Sequence, residues 1–283
     1  MASMRDIKRR KSSIQSTQQI TKAMKLVSTV KLQRARQNAE DSADYFTCMY
    51  ETVSSILKRT TGMQHPYLNG GTSGKKAVIV MTSNRGLAGG YNSNIIRLVT
   101  EQFDKEDTVI YAVGRKGRDA LAHKGYTIEA DASESTEEPV YPDAMALSDR
   151  LLKDFAEGKV CEIYLAYTKF KNTVSHIPTM LKLLPVEIRE EAAQESDHTL
   201  MNFEMDEETA LDLLIPKYVT SLIYGGLVES VASENGARMQ AMDSATSNAE
   251  EMIGDLTLLY NRARQGSITQ ELTEIIAGAE AIS

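Results

Sequence analysis

The sequence predicts an α/β domain held between two long terminal helices that form an antiparallel coiled coil. All six prolines lie between Pro66 and Pro216, and glycine is absent before Gly62, so both ends of the chain lack the main helix breakers. The interior alternates apolar runs with helical patterns, which is typical of a mostly parallel sheet. Both ends repeat small and apolar residues at steps of three and four, as two packed helices require.

The first helix is predicted from about Met4 to Thr60, within an N-terminal segment of residues 1–61. At a rise of ~1.5 Å per residue it would be roughly 85 Å long. One compact domain does not stabilise a helix of that length, so it needs a long partner. Its predicted apolar stripe consists of Leu32, Ala35, Ala39, Ala43, Phe46, Tyr50, Val53 and Leu57.

The middle domain, residues 75–200, is predicted to be Rossmann-like. Buried parallel strands read as continuous apolar runs, and three such runs are predicted as strands: 77–83, 108–114 and 162–168. Helical patterns lie between them: 92–105, 115–124 and 143–157. The stretch FKNTVSHIPTMLKLLPVEI after the third strand is predicted to add an edge hairpin.

The last segment, residues 206–283, is predicted to be the second helix of the coiled coil, with Asp206 as its N-cap. Its predicted seam is Met242, Ala245, Ala249, Met252, Leu256, Leu259, Ala263 and Gly266. Upstream of each stripe, polar residues replace the apolar ones: Asn235 and Arg238 before Met242, and Gln18, Thr21, Lys25 and Ser28 before Leu32 on the first helix. These indicate either a solvated, frayed coil or a part of the coil that lies inside another protein.

The two helices differ in length, because 67 residues follow Pro216 against about 57 in the first helix. Ten or more residues of the last helix would therefore extend alone, over at least ~15 Å. This end reads ITQELTEIIAGAEAIS and contains Ile268, Leu272, Ile275 and Ile276. An isolated apolar helix end is not stable in water, so it needs a binding partner.

Charge is unevenly distributed along the chain. Residues 1–39 hold ten basic groups and one acid, so they carry +9 and the remainder carries −16 of the net −7. A basic segment of this kind indicates nucleic acid, a membrane surface or a protein partner. No aromatic residue precedes Tyr45, which argues against a single-stranded nucleic-acid site. The sequence contains no uninterrupted run of about 18 apolar residues, so no transmembrane helix is predicted.

The stretch TSNRGLAGGYNSN follows the first strand, where many α/β proteins bind phosphate. Gly86, Gly89 and Gly90 fit neither the G-x-G-x-x-G nor the P-loop spacing. A tight strand-to-helix turn with a positive φ at glycine is favoured. An α/β nucleotide-binding enzyme with helical oligomerisation arms is the alternative. No catalytic, cofactor or metal residues are assigned, since the sequence shows no paired carboxylates, Cys–His pair or metal-ligand spacing.

Three stretches of this chain resemble one family. MRDIKRRKSSIQSTQQITKAMKLVSTVKLQRA resembles the N-terminal helix of the gamma subunit of F-type ATP synthases, and ITQELTEIIAGAEA resembles that family's C-terminal signature. TSNRGLAGGYN resembles its RGLxGG stretch. The resemblance covers nearly the whole chain.

The resemblance implies a central-stalk rotor subunit without a catalytic site or cofactor of its own. Proton-driven rotation of a membrane c-ring would turn the coiled coil inside a ring of three alpha and three beta subunits, with the epsilon subunit as a further partner. The subunit would be peripheral on the cytoplasmic face of the cell membrane, without nucleic acid or membrane insertion. No thiol switch is expected, because the plant-type cysteine pair is missing and only Cys48 and Cys161 are present.

The resemblance also implies two sets of contact residues. The residues that match contacts with beta-subunit loops are Met24, Lys25, Glu234, Arg238, Gln265, Thr269 and Glu271. The apolar collar of the ring would hold Leu272, Ile275 and Ile276.

Overall fold

The computed structural model describes residues 4–59, 65–70, 74–186 and 207–280. The helices are α1 (Met4–Arg59), α2 (Pro66–Asn69), α3 (Tyr91–Gln102), α4 (Arg115–His123), α5 (Tyr141–Ala156) and α6 (Glu207–Glu280), with a short 3-10 helix at Ser133–Thr136. The strands are β1 (Lys75–Met81), β2 (Thr108–Val113), β3 (Thr127–Asp131), β4 (Val160–Phe170) and β5 (His176–Leu184).

The chain divides into two compact units, and α1 and α6 contribute to both. We call Met1–Ser28 with Met239–Ser283 the coil unit, and Thr29–Arg238 the sheet unit. The predicted domains divide the chain differently, into first helix, sheet domain and last helix. Their boundaries, 1–61, 75–200 and 206–283, stay a prediction. Asp206, the predicted N-cap of the last helix, lies outside the described residues.

The sheet unit contains one five-stranded sheet in the order β3-β2-β1-β4-β5. The pairs β1–β2, β1–β4 and β2–β3 are parallel, whereas β4–β5 is antiparallel. The predicted mostly parallel sheet and the added edge hairpin are therefore confirmed. The edge strand β3 was not predicted, because most of its side chains are not buried and its sequence lacks the apolar run of a central strand.

Side chains of the sheet alternate between two apolar layers. On one face, Ile79 and Met81 pack with α5 and with the first half of α6, which contributes Leu211, Ile215, Val219, Ile223 and Leu227. On the other face, Val78 and Val80 pack with Ile95 of α3 and with α4. Because both faces are covered, β1 and β2 are apolar at nearly every position, which explains why the sequence identified them.

In the coil unit α1 and α6 run antiparallel and are joined by polar contacts. The Thr21 and Thr246 hydroxyls lie 2.8 Å apart, Gln18 donates to Glu250 at 3.0 Å, and Lys25 forms an ion pair with Asp243 at 2.5 Å. Thr21 and Ser28 are buried. The polar seam is thus a set of paired side chains between packed helices rather than a frayed coil. Whether it also lies inside another protein stays a prediction.

The apolar seam of α6 differs from the predicted one at alternate positions. Met242, Ala249 and Leu256 are buried as expected. Met252 and Leu259 are exposed, however, and the half-buried residues are their neighbours Ile253 and Tyr260. Ala245 and Thr246 are both half-buried, so the seam departs from the prediction at Met252 and Leu259. Spacing alone could not choose between these alternatives, since both satisfy a heptad repeat.

By length and composition, α6 contains a segment apolar enough to cross a membrane. An 18-residue window within Thr209–Ala279 reaches a mean hydropathy of 1.2, and half of that window is buried inside the protein. A helix that packs its apolar face inside a protein can have the same length and hydropathy as a membrane-spanning helix. The expectation that this chain has no membrane-spanning helix stays a prediction.

The first residue of β5, His176, lies against α6. His176 fills the space left by the missing side chain of Gly236, where a Cβ would lie 2.5 Å from His176 Nε2. Among the described residues this buried Nε2 has no hydrogen-bond partner, and burial lowers the pKa of His176 from its ordinary value. The folded sheet unit therefore favours the neutral imidazole.

We expect the sheet unit to lose stability as the pH falls below about 6.5, the unfolded pKa of histidine. A lowered pKa means that the unfolded chain binds a proton that the folded chain rejects, so the contribution of His176 is complete above the unfolded pKa. It is lost as the pH falls from there towards the folded pKa. Thermal unfolding between pH 7.5 and about 5.5 measures this. His176→Leu should flatten the dependence, whereas His123→Leu, at an exposed site, should leave it unchanged. Equal slopes in the two variants would contradict the prediction.

Candidate functional site

The last turns of α6 present an unpartnered apolar surface. In the coil unit, position 18 lies opposite 250 and position 25 opposite 243, so Met4 lies opposite about 264 and residues 265–280 extend beyond α1. Every residue at 268–279 is exposed. The large apolar side chains of this end, which we call the terminal stripe, are Ile268 (46% exposed), Leu272 (55%), Ile275 (68%) and Ile276 (59%).

Three predicted contact residues lie on the same end of α6. Gln265, Thr269 and Glu271 are all exposed. Thr269 donates its hydroxyl to the Gln265 carbonyl at 2.9 Å, and Ser267 donates to Glu271 at 3.4 Å. These bonds stay within one helix, so the amide of Gln265 and one or both oxygens of Glu271 are available to a partner.

On α1, the predicted contact residues Met24 and Lys25 are half-buried. The Lys25 side chain, 39% exposed, is held by Asp243. Three further apolar side chains of α1, Ile20, Leu26 and Val27, are each more than half exposed but were not predicted as contacts. They lie away from the predicted seam, and the signal that could have found them is a second apolar stripe on a helix face that α6 does not cover.

Glu234 and Arg238 differ from the other predicted contacts because they are paired inside the sheet unit. The two residues are one turn apart on α6, and Arg238 Nη2 lies 2.7 Å from Glu234 Oε1. The side chain of Glu234 is only 14% exposed and that of Arg238 only 12%. Arg238 Nη2 also lies 3.5 Å from the Gly86 carbonyl oxygen. Burial raises the pKa of Glu234, and the Arg238 guanidinium offsets part of that rise. This pair thus ties α6 to the loop after β1.

The loop after β1 is held by its own side chains. Thr82 Oγ1 accepts from the Gly117 amide at 2.8 Å and donates to the Gly114 carbonyl at 3.1 Å. Asn92 Oδ1 accepts from the Ser83 amide at 2.9 Å. Gly89 has a φ of 55°, as predicted for a tight turn, and the tip residue Leu87 has a φ of 64°. The Thr82 hydroxyl and the Ser83 amide are thus used to shape the turn.

The carboxyl end of the sheet near this loop is filled by α6. The remaining cavity measures about 10 Å³ and is lined by Met81, Tyr91, Leu227, Ser230 and Glu234, among others. About one water molecule occupies such a volume, whereas ligand pockets usually exceed 300 Å³. This cavity is therefore too small for a nucleotide. Among the described residues, no group of three or more His, Cys, Asp or Glu could hold a metal ion.

These features define a class of protein: a subunit whose exposed apolar surface lies on paired terminal helices and whose sheet edge is closed by its own last helix. Such a surface is typical of a chain that works within an assembly. The chain belongs to the ATP synthase gamma chain family. A family model described as ATP synthase matches residues 3–282.

Relatives along the full length are similar to this chain. The ATP synthase gamma chain of Lachnoclostridium phytofermentans is 63% identical, with 100% of both chains covered. The gamma chain of Acetobacterium woodii, named sodium ion specific, is 41% identical, with 99% of each chain covered. A chain from the Euglena gracilis mitochondrial ATP synthase structure titled OSCP/F1/c-ring, rotational state 3, is 18% identical with a TM-score of 0.67, covering 99% of this chain and 94% of its own. That structural likeness confirms the fold.

Proposed function

We propose that this chain is the central-stalk rotor subunit of an ATP synthase. It couples ion-driven rotation of a membrane c-ring to ATP synthesis and hydrolysis in a ring of three alpha and three beta subunits. The observation that carries the proposal is the terminal stripe, whose apolar side chains extend beyond α1 and need a surrounding partner. Membership of the gamma chain family and the F1/c-ring assembly of the Euglena structure support the same reading.

In this proposal the chain has no catalytic site of its own and acts by changing the conformations of the beta subunits. A rotor that presents different surfaces to three identical subunits favours a different conformation in each of them. Rotation therefore shifts the population of each beta subunit in turn, because the contacts have different free energies in each state. Cys48 on α1 and Cys161 on β4 take no part, so no redox switch is included.

The proposed contacts of the coil unit fall at three levels along the helices. Leu272, Ile275 and Ile276 lie in an apolar collar at the top of the ring, and Gln265, Thr269 and Glu271 meet beta-subunit loops just below it. Met24 and Lys25 on α1 meet beta-subunit loops farther down, where position 25 lies opposite 243. Polar contacts suit a rotating surface, since an exposed ion pair or hydrogen bond contributes only about 1 kcal/mol and is readily exchanged for water.

Glu234 and Arg238 are proposed to meet beta loops through the small part of each side chain that remains exposed. Because each already pairs with the other, a beta carboxylate near Arg238 would compete with Glu234 for the same guanidinium. The sheet unit is proposed to bind epsilon and the c-ring, which places the subunit peripherally on the cytoplasmic face of the membrane.

Co-expression with the alpha and beta subunits of the same organism tests the proposed function. We expect a stable complex that contains one copy of this chain and hydrolyses ATP, and loss of that activity when the chain is left out. The nucleotide-binding alternative makes the opposite prediction, namely that the chain stays outside the complex and binds ATP alone. That outcome would overturn the proposal.

Polar substitution of the terminal stripe is expected to weaken the complex. Replacing Leu272, Ile275 and Ile276 together with serine removes about 1–2 kcal/mol of burial for each side chain, so the chain should leave the complex at least tenfold faster. Thermal dissociation and ATP hydrolysis of the assembled complex measure the effect. Gln270→Ala, whose side chain bonds only Glu274 on the same helix, is the control. Unchanged assembly in the triple variant would exclude a buried collar contact.

A further inference from the structure

Strand β4 is longer than the strand beside it. The pairing of β1 with β4 ends at Val80 and Ala166, whereas β4 continues to Phe170. Over these last residues β5 pairs with the other edge of β4, with Pro178 opposite Thr168 and His176 opposite Phe170. Among the described residues, the edge of β4 that faced β1 therefore has no strand partner at residues 167–170.

Side chains of α6 take the place of the missing strand. Ser233 donates its hydroxyl to the Thr168 carbonyl at 3.0 Å, and the Thr168 amide donates to Ser230 Oγ at 3.5 Å. The Phe170 amide donates to Glu229 Oε2 at 3.3 Å. Alternate residues of a strand direct their backbone groups to the same edge, so α6 follows this edge for two residue pairs. Ser230, Ser233 and Thr168 are all at most 5% exposed.

These contacts differ in kind from the apolar contacts of α6 in the sheet unit. Its earlier turns pack apolar side chains such as Ile215, Val219 and Ile223 against the sheet, and apolar attraction does not depend on direction. Hydrogen bonds to backbone atoms require a narrow range of distance and angle. The bonds to β4 thus define both the axial position and the rotation of α6 relative to the sheet.

We infer that Glu229, Ser230 and Ser233 form the joint through which torque passes between the sheet and α6. This inference rests on the proposed rotor function, and the three residues are positioning residues. A twist of the sheet moves the backbone of β4, and the directional bonds move α6 with it. Without them the apolar layer would let the helix shift slightly before it follows, so part of each rotational step would be lost.

The experiment compares Ser230→Ala with Ser233→Ala, singly and together, in the assembled ATP synthase in membrane vesicles. The control is Thr220→Val, which removes an equally buried hydroxyl that bonds only the Pro216 carbonyl of its own helix. Two quantities are measured for each complex: ATP synthesis driven by an imposed ion gradient, and ATP hydrolysis by the detached soluble part. Hydrogen exchange at the amides of Thr168 and Phe170 reports whether the joint has opened.

We expect about tenfold faster exchange at the Thr168 amide in the double variant, the equivalent of one lost buried hydrogen bond. The ratio of synthesis to hydrolysis should fall severalfold, while Thr220→Val keeps the wild-type ratio. A double variant with faster exchange and an unchanged ratio would overturn the joint, and so would an equal loss of synthesis and hydrolysis. If the double variant fails to assemble, the single variants decide on the same criteria. A wild-type complex without coupled synthesis would instead count against the proposed function itself.

Discussion

Gly114→Ala is expected to destabilise the sheet unit by more than about 4 kcal/mol, a large share of the roughly 5–15 kcal/mol that stabilises a folded chain. Gly114 follows β2 with a φ of 107°, a conformation that L side chains rarely adopt. A Cβ there would lie 2.0 Å from the Thr82 carbonyl oxygen and 2.5 Å from its carbon. Both are backbone atoms at the end of β1, so relief of the clash would require the two central strands to separate.

The yield of soluble complex and its thermal unfolding midpoint measure this effect. Gly86→Ala is the matched control, because it lies in the neighbouring loop, has no positive φ and would place its Cβ with nothing within 4 Å. We expect that variant to stay within about 1 kcal/mol of the wild type. A Gly114 variant with a wild-type midpoint would show that the end of β1 can move, and the turn would then not be a rigid element of the fold.

Arg238→Ala is expected to lower the free energy of unfolding by about 2–4 kcal/mol, because removal of one partner leaves a buried charge uncompensated. Glu234 keeps only 14% of its side chain exposed and loses its ion pair at 2.7 Å. The deficit should depend on pH. Burial already raises the pKa of Glu234, and the loss of Arg238 raises it further, so the carboxyl binds a proton more readily in the folded variant than in the unfolded one.

The pH dependence separates this mechanism from a simple loss of packing. The folded variant is favoured at low pH, where Glu234 is neutral, and its deficit grows as the pH rises through the raised folded pKa. Unfolding of the variant and wild type at about pH 5 and pH 8 tests this. A double variant, Glu234→Gln with Arg238→Met, should recover most of the loss at about pH 8, since no buried charge remains. A deficit that is the same at both pH values would contradict the assignment.

Both substitutions concern one region, the carboxyl end of the sheet where the loop after β1 meets α6. A phosphate site was the alternative reading of this loop. In the structure the Ser83 amide bonds Asn92, the Thr82 hydroxyl bonds Gly114 and Gly117, and α6 occupies the adjacent edge. The same position that binds a nucleotide in many α/β proteins serves here to attach a long helix to the sheet.

Local patterns in the sequence were sufficient for the elements that depend on local physics. The absence of proline and glycine predicts α1 over its whole length, because helix breaking is a property of single residues. The apolar runs predict β1 and β2, since both of their faces are buried. The difference in helix lengths predicts the terminal stripe, because the rise of a helix is constant. Three short stretches of sequence likewise predicted the family.

Contacts between distant residues could not be predicted in this way. In the sequence, Thr21 and Lys25 interrupt an apolar seam. Their partners, Thr246 and Asp243, could not be identified, because spacing along one helix does not identify the residue opposite on the other. Whether Met252 or Ile253 faces α1 depends on the rotation of α6, which a heptad repeat leaves open. Edge strand β3 lacks a strong apolar pattern, since only burial on both faces imposes one.

The sequence by itself determined most of the helices and strands, the family, and the unpaired apolar end of α6. Only the tertiary structure decided that Glu234 pairs with Arg238, that His176 lies against Gly236, and that Ser230 and Ser233 complete the edge of β4. The physical reason is that secondary structure and amphipathicity follow from residues a few positions apart. Hydrogen bonds and ion pairs between elements depend on distances and angles that exist only after the chain has packed.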